Sequence, residues 1–415
     1  MEGFFTKKET ESISRPNGKI LSCASCGLYR EVISPRMEPF GNFRKGILNI
    51  GEAPGATEDE RGKQWQGTVG RLLKKTYRRL GIDLFEDCLN INSVNCRPTT
   101  KNGNNRTPTP QEIACCRSRV MKTIEEYHPK VIILLGGSAV FSFLGHRWKK
   151  DLGGIFKWRG WTIPDRDFNA WVCPIFHPSY VAREEEHVTT IWLQDLERAL
   201  GMVNIPLPDY CNEGEQVQII ESPNELTKIL VEIEATTHQH RSGLLSLDIE
   251  TTGLKPHAEG HRIICLSLSH RKDQAYVFML PKQKENLALL KTVLQSKMRK
   301  SAHNMSFEHT WIHHFLGYDI QVWYWDSMIA AHVLDNRPDI TGLKFQTYVN
   351  FGVVDYSSEI EGYLQGIDPK NANSINRITE LLKTKEKRTQ LLTYCGLDNI
   401  FHHKLVIKQK KEIYG

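Results

Sequence analysis

The sequence has 415 residues, 40% hydrophobic and 25% charged, with 54 Lys and Arg against 48 Asp and Glu for a net charge of +6; this length implies two or three domains, and the weak positive balance permits a polyanionic partner without demanding one. The longest apolar run, VIILLGG from Val131, is far too short to span a bilayer, and the N-terminus lacks the apolar core and small-residue cleavage site of a secretory leader, so no membrane role and a cytoplasmic location are expected. In a reducing compartment the 10 cysteines are expected to be metal ligands, core residues or free thiols rather than disulfides.

Along the chain, the first feature is CASC, with Cys23 and Cys26 two apart. KGILNIGEAPG then reads as a strand entering a loop, and VGRLLKKTYRRLG as an amphipathic helix closed by Gly81. That helix puts Leu72, Leu73, Thr76, Tyr77 and Leu80 on one side and Lys74, Lys75, Arg78 and Arg79 on the other, a solvated face or a contact for a DNA backbone. DCLNINSVNCRP is a second strand, and KNGNNRTPTP a surface loop whose Lys101 and Arg106 are expected to be solvated. Thr109 and Pro110 announce the helix that carries ACCRSR. KVIILLGGSAVFSFLG is a buried strand, a Gly-Gly turn and a helix, and WVCPIFHPSY a late strand running into a His-Pro loop. Strands alternating with helices argue for a parallel-sheet α/β domain.

Residues 205–215 are polar, proline-bearing and turn-rich, and a linker is expected there between a domain at 1–204 and another at 216–415. In the second domain VQIIE is a short strand, and SPNELTKILVEIEA a helix with Ser222 as its N-cap and Pro223 at its first position. GLLSLDIETTGL and RIICLSLSH read as adjacent strands, with mainly helical sequence after them.

Four thiolates converging on one site hold zinc or an iron–sulfur cluster. Cys23 and Cys26 supply two; with no second CxxC, the others must come from Cys96 and from Cys115 or Cys116. CASCGL, GEAPGATEDERGKQWQG, NSVNCRP, NRTPTPQEIACC and FHPSY follow one another in this order. Together they resemble a family 4, iron–sulfur uracil-DNA glycosylase. The resemblance implies a structural 4Fe–4S cluster on Cys23, Cys26, Cys96 and Cys116, with zinc in the same thiolates as the alternative. It further implies that Glu52 lies near the sugar and the attacking water. Asn92 would read the pyrimidine edge, and His177 would face the uracil oxygen that gains charge. Gly51, Pro54 and Gly55 form a tight loop that lets backbone amides approach the base or phosphate. Trp65 stands where the family usually has phenylalanine; its larger ring can stack on a base, or narrow or fill the pocket. The first domain is therefore expected either to excise uracil or to act as a DNA or modified-base reader or scaffold.

In the second domain Asp248 and Glu250 sit two apart on an expected strand and so leave it on one face, with Leu245, Leu247 and Ile249 on the other. Paired acids among apolar neighbours are costly unless they hold a cation, and no Arg or Lys partner is obvious in the motif. AHNMSFEHTWI adds Glu308, and YCGLDNIFHHKL adds Tyr394 and Asp398, four apart on one helix face. Four carboxylates and a tyrosine suit two-metal hydrolysis of a phosphodiester. The histidines at 303, 309, 313, 314, 402 and 403 read as solvated or core residues. The acid set, with WDSMIAAHVL between its second and third motifs, resembles the tyrosine-class DEDD 3′–5′ proofreading exonuclease of family A DNA polymerases. That resemblance implies an RNase H-like mixed sheet, two Mg or Mn ions on Asp248, Glu250, Glu308 and Asp398, and Tyr394 as the orienter of water. Glu308 replaces the usual aspartate. The order of the two domains resembles the N-terminal part of certain tailed-phage DNA polymerases. The expected partners are then single-stranded DNA 3′ ends, possibly containing uracil, and a C-terminal polymerase domain or subunit, in the host cytoplasm if the protein is phage-encoded.

Overall fold

The computed structural model describes residues 21–184, 186–239, 243–368 and 370–415; the first 20 residues of the expected first domain lie outside the described residues. The chain divides into two compact units. One runs to Asp209 and includes Tyr348–Asp355; the other comprises Tyr210–Thr347 and Tyr356–Gly415. The division expected from sequence assigned 348–355 to the second part. Those residues group with the first unit, where the Tyr348 hydroxyl donates to buried Asp165 at 3.0 Å.

The first unit contains, in order, α1 (Cys23–Cys26), β1 (Ile47–Gly51), α2 (Ala56–Arg61), α3 (Thr68–Arg79), β2 (Cys88–Asn92), α4 (Pro110–Tyr127), β3 (Val131–Leu135), α5 (Gly137–Leu144), α6 (Ile155–Trp158), β4 (Ile163–Asp165), β5 (Ala170–Ile175), α7 (Pro178–Val181) and α8 (Glu186–Gly201). The sheet order is β2-β1-β3-β5-β4, parallel except for β4 against β5. β1, β2 and β3 are buried at every position, as strands covered on both faces must be. The buried polar residue Asn49 is satisfied: it donates to Asn90 Oδ1 and accepts from the Tyr77 hydroxyl of α3. α3 buries Leu73, Thr76 and Tyr77 and leaves Lys75, Arg78 and Arg79 exposed, while Lys74 lies over the Phe85 ring. α4 starts with a capping box in which Thr109 and Glu112 satisfy each other's backbone N–H groups. Arg106 is not simply solvated, because its guanidinium pairs with that same Glu112.

The second unit contains β6 (Val217–Ile220), α9 (Pro223–Gln239), β7 (Leu244–Thr251), β8 (Ile263–Arg271), β9 (Gln274–Met279), α10 (Lys284–Gln295), β10 (Arg299–Ala302), α11 (Met305–Leu316), β11 (Trp323–Asp326), α12 (Ser327–Leu334), the part of α13 (Leu343–Phe351) up to Thr347, α14 (Ser358–Leu364) and α15 (Lys385–Tyr414). Its sheet, β11-β10-β7-β8-β9-β6, is mixed: β7, β8 and β9 pair antiparallel, and the remaining pairs are parallel. One core joins Leu245, Leu247 and Ile249 to apolar residues of α9, α10 and α11. A second joins Ile264, Cys265 and Val277 to α15. Both units are thus α/β, the first largely parallel and the second mixed, as the sequence indicates. Among the described residues no helix is long and apolar enough to cross a membrane.

Candidate functional site

The alternation of β7 puts Asp248 and Glu250 half-buried on the face opposite Ile249. Its register against β8 shifts between Glu250 and Thr251, so regular pairing breaks immediately beyond the two acids. α15 carries Tyr394 and Asp398 one turn apart, and Gly396 between them allows the helix to approach the sheet. A Cβ at Gly396 would come within 2.5 Å of Val217 and 2.8 Å of Val277. Glu308 comes from the first turn of α11. Ligand atoms of Asp248, Glu250 and Cys395 all lie within 4.8 Å of one another, and the Cys395 thiol donates to Asp248 at 3.5 Å.

Burial raises the Asp248 carboxyl well above its ordinary range, with the charge of Asp398 adding to it; burial and then Asp248 do the same to Glu250. Glu308 is also raised, by burial and then by Asp248, and its Oε2 has no hydrogen-bond partner among the described residues. Clustered acids of this kind are costly unless a cation offsets them, and carboxylate oxygens are the donors that hard divalent ions take. The residues present fit such ions.

Part of the compensation comes from the protein. Lys344 of α13 pairs with Asp398, its ammonium 3.9 Å from the ring centre of Tyr356 and 4.1 Å from that of Tyr394. The Tyr356 hydroxyl donates to the same Asp398 oxygen at 2.6 Å. No motif marks Lys344, Tyr356 or Cys395; only Cys395 stands beside a residue that the sequence singles out.

Asp326 anchors the start of α11, the helix that carries Glu308. Its carboxylate accepts from the N–H groups of Asn304 and Met305, which lead into α11, and from those of Met328 and Ile329, which begin α12. The histidines form no metal cluster among the described residues. His403, Ser246, Ser301, His402, Ser327 and His303 make a buried hydrogen-bonded chain, while His309 and His313 pair with Asp319.

In the first unit, parallel pairing sets Gly51 beside Asn92 at the ends of β1 and β2. A Cβ at Gly51 would lie 2.5 Å from Asn92 Oδ1 and 3.0 Å from the Trp65 ring. Trp65 is a bulky residue in the left-handed region, at φ 60°, a strained conformation of the kind that marks functional loops. Gly70 accommodates it, since a Cβ there would meet the Trp65 carbonyl oxygen at 2.1 Å. The Trp65 ring is buried, its Nε1 has no partner among the described residues, and it lies 5.8 Å from the His177 ring at 33°. Ser179 N–H donates to His177 Nδ1. Glu52 accepts from Ser138 at 3.1 Å, and burial raises its carboxyl, partly offset by Ser138 and by the charge of Arg183. Gly55 Cα faces Glu58 and Asn105. Gly51, Glu52, Trp65, Asn92 and His177 therefore gather at the ends of β1, β2 and β5, and Ser138 and Arg183 join them without a sequence signal.

A separate cavity is lined by Cys23, Cys26, Tyr29, Val94, Cys96, Cys115 and Cys116, five thiols drawn from α1, the loop after β2 and α4. Burial pushes the Cys116 thiol up to about 11 and raises Cys26, Cys96 and Cys115. Arg36 N–H donates to Cys96 Sγ, and Asn95 N–H to Cys116 Sγ. Asp59 accepts from the N–H groups of Ile33 and Ser34, fastening the segment after α1. Such a donor set fits a thiolate-bound metal centre.

Residues 38–197 match the uracil DNA glycosylase superfamily, and residues 217–412 match the 3′-5′ exonuclease family. The type-4 uracil-DNA glycosylase of Thermotoga maritima is 32% identical over 203 residues, covering 48% of this chain and 97% of that protein. That of Pyrobaculum aerophilum is 34% identical over 172 residues, 40% of this chain and 82% of the relative. The DNA polymerase of Bacillus phage SP01 is 24% identical over 328 residues, 72% of this chain and 34% of the polymerase, so this chain spans about a third of that relative. Among solved structures, Escherichia coli RNase D, an exoribonuclease involved in structured RNA processing, aligns at a TM-score of 0.33 with 16% identity, over 47% of this chain and 45% of that one.

Proposed function

We propose a two-part reading of this chain, which belongs to the type-4 uracil-DNA glycosylase family through its first half and carries a 3′–5′ exonuclease domain in its second. The second half removes nucleotides from DNA 3′ ends as a proofreading activity, and the chain is the N-terminal part of a phage-type DNA polymerase. Its partners are single-stranded 3′ ends and a polymerase domain or subunit that follows, in the cytoplasm of the host. Similarity to the phage SP01 polymerase supports this assignment.

The observation that carries the exonuclease reading is the gathering of Asp248 and Glu250 within 4.8 Å beside an unpartnered Glu308 Oε2. Asp248, Glu250, Glu308 and Asp398 would hold two Mg or Mn ions. When bound, these ions supply Lewis acidity to the attacking and leaving oxygens. Tyr394 orients the attacking water. Burial and the charge of Asp398 raise its hydroxyl well above the ordinary tyrosine range, so it stays protonated at neutral pH. Tyr356 and Lys344 hold one oxygen of Asp398 in place.

In the first half, Asn92 reads the pyrimidine edge, Glu52 lies near the sugar, and His177 donates to a base oxygen. Cys23, Cys26, Cys96 and Cys116 would hold a structural 4Fe–4S cluster, and iron and sulfide content with visible absorption would distinguish it from zinc. Trp65 favours a second reading, a base reader or scaffold that does not excise. Its buried ring lies 5.8 Å from His177 and would meet a Cβ on Gly51 at 3.0 Å, beside Asn92, so the indole takes up space next to the groups that would read a base.

A 5′-labelled strand with one internal uracil tests both halves. Magnesium-dependent shortening is expected, and its absence would sink the exonuclease reading. Alkali cleavage at uracil in EDTA would establish excision and remove the reader alternative.

A further inference from the structure

We infer that Lys344 is an internal place-holder cation, occupying the acidic centre when no metal is bound and giving up Asp398 when a divalent ion arrives. This inference rests on the metal-site reading of the four carboxylates.

The lysine sits in an unusual setting for an ammonium that serves only to pair one surface acid. Its side chain is 14% exposed, against 9% for Asp398. It is held over two aromatic rings, Tyr356 at 3.9 Å and Tyr394 at 4.1 Å, which favour a cation on their faces. Asp248, Glu250 and Glu308 stand beside this pair as further oxygen ligands for a divalent ion, which one ammonium cannot replace. Lysine is suited to yielding: its ammonium is a single point charge on a flexible stem, whereas arginine would bind a carboxylate by a two-pronged fork. The Tyr356 hydroxyl meets the same Asp398 oxygen and keeps the carboxylate oriented as the ammonium leaves.

The test measures Mn binding calorimetrically on the full chain, with thermal unfolding in EDTA and in Mn, for wild type, Lys344→Met and Lys344→Arg. Without the lysine, no charge-assisted hydrogen bond has to break before the ion binds, so Lys344→Met should bind Mn about tenfold more tightly. It should unfold at lower temperature than wild type in EDTA, with the gap narrowing or closing in Mn. Lys344→Arg should keep wild-type stability in EDTA and bind Mn no more tightly than wild type. If Lys344→Met proves unfolded in EDTA, recovery of its fold by Mn supports the inference, and failure of Mn to recover it overturns it. Equal or weaker Mn binding by Lys344→Met, with wild type binding normally, overturns the place-holder role alone. Absence of Mn binding in wild type would overturn the metal reading and this inference with it.

Discussion

The backbone N–H of Ser179 donates to Nδ1 of His177 at 3.2 Å, which makes that nitrogen the acceptor and leaves the imidazole proton on Nε2. Burial, followed by the charge of Arg183, lowers this imidazole to about 4, so His177 is neutral at physiological pH and remains a hydrogen-bond donor. His177→Asn should weaken binding of uracil-containing single strands by about tenfold while leaving magnesium-dependent shortening unchanged. Equal binding by both proteins would remove His177 from base recognition.

Burial also holds His146, His303 and His403 at about 4. An unfolded imidazole titrates at about 6.5, so the unfolded chain takes up protons first as pH falls. The stability that these neutral side chains contribute is complete above about pH 6.5 and is lost as pH falls toward 4. The carboxyls raised by burial, Glu52, Asp248, Glu250 and Glu308, act in the opposite sense. The test is therefore the stability difference between wild type and His403→Gln, which should shrink as pH falls from about 6.5 toward 4. A difference independent of pH would contradict neutral burial.

Replacing Trp65 by Phe removes the indole edge that lies against Gly51 and His177. Trp65→Phe should cost about 1–2 kcal/mol of stability and should open the base pocket. The measurement is alkali cleavage at uracil in EDTA, wild type against variant. A band gained by the variant supports a pocket filled by Trp65; a stronger wild-type band would make the indole the stacking platform.

Asp326→Ala would leave four backbone N–H groups at the starts of α11 and α12 without their acceptor. A loss of about 2–4 kcal/mol is expected by denaturant unfolding. Because α11 carries Glu308, magnesium-dependent turnover should also fall, and Asp326→Asn should restore part of both. Unchanged turnover in a destabilised variant would limit Asp326 to a structural role.

Tyr394→Phe keeps the ring against Lys344 and removes only the hydroxyl. Turnover on a single strand should drop about 100-fold with little change in KM. By contrast, Glu308→Asp should retain activity within about tenfold. Loss of activity in the aspartate variant would mean that the longer side chain is matched to its surroundings.

Much of the chemistry was legible before any fold was known, because it is written at short range. A strand repeats every two residues, so Asp248 and Glu250 had to share a face. A helix returns after four, so Tyr394 and Asp398 had to stand one above the other. Thr109, Pro110 and Glu112 announced α4 for the equally local reason that they satisfy its first turn. The CxxC pair likewise declared itself, and the order of motifs pointed to both families.

The sequence by itself thus determined the two α/β units and the residue types proposed for each site. Only the tertiary structure decided what surrounds them. Lys344 lies 54 residues before Asp398, and Tyr356 lies 42 before it. Ser138 reaches Glu52 across 86 residues. None of these distances has a periodicity, since each partner arrives on a different element brought in by core packing. The same holds for Trp65: its presence is plain in KQWQG, but its burial against Gly51 and His177 follows from a left-handed turn and from the lack of a side chain at Gly70. Local pattern is set by backbone geometry, whereas the charge balance and free space of a site are set by whichever distant side chains the folded core brings beside it.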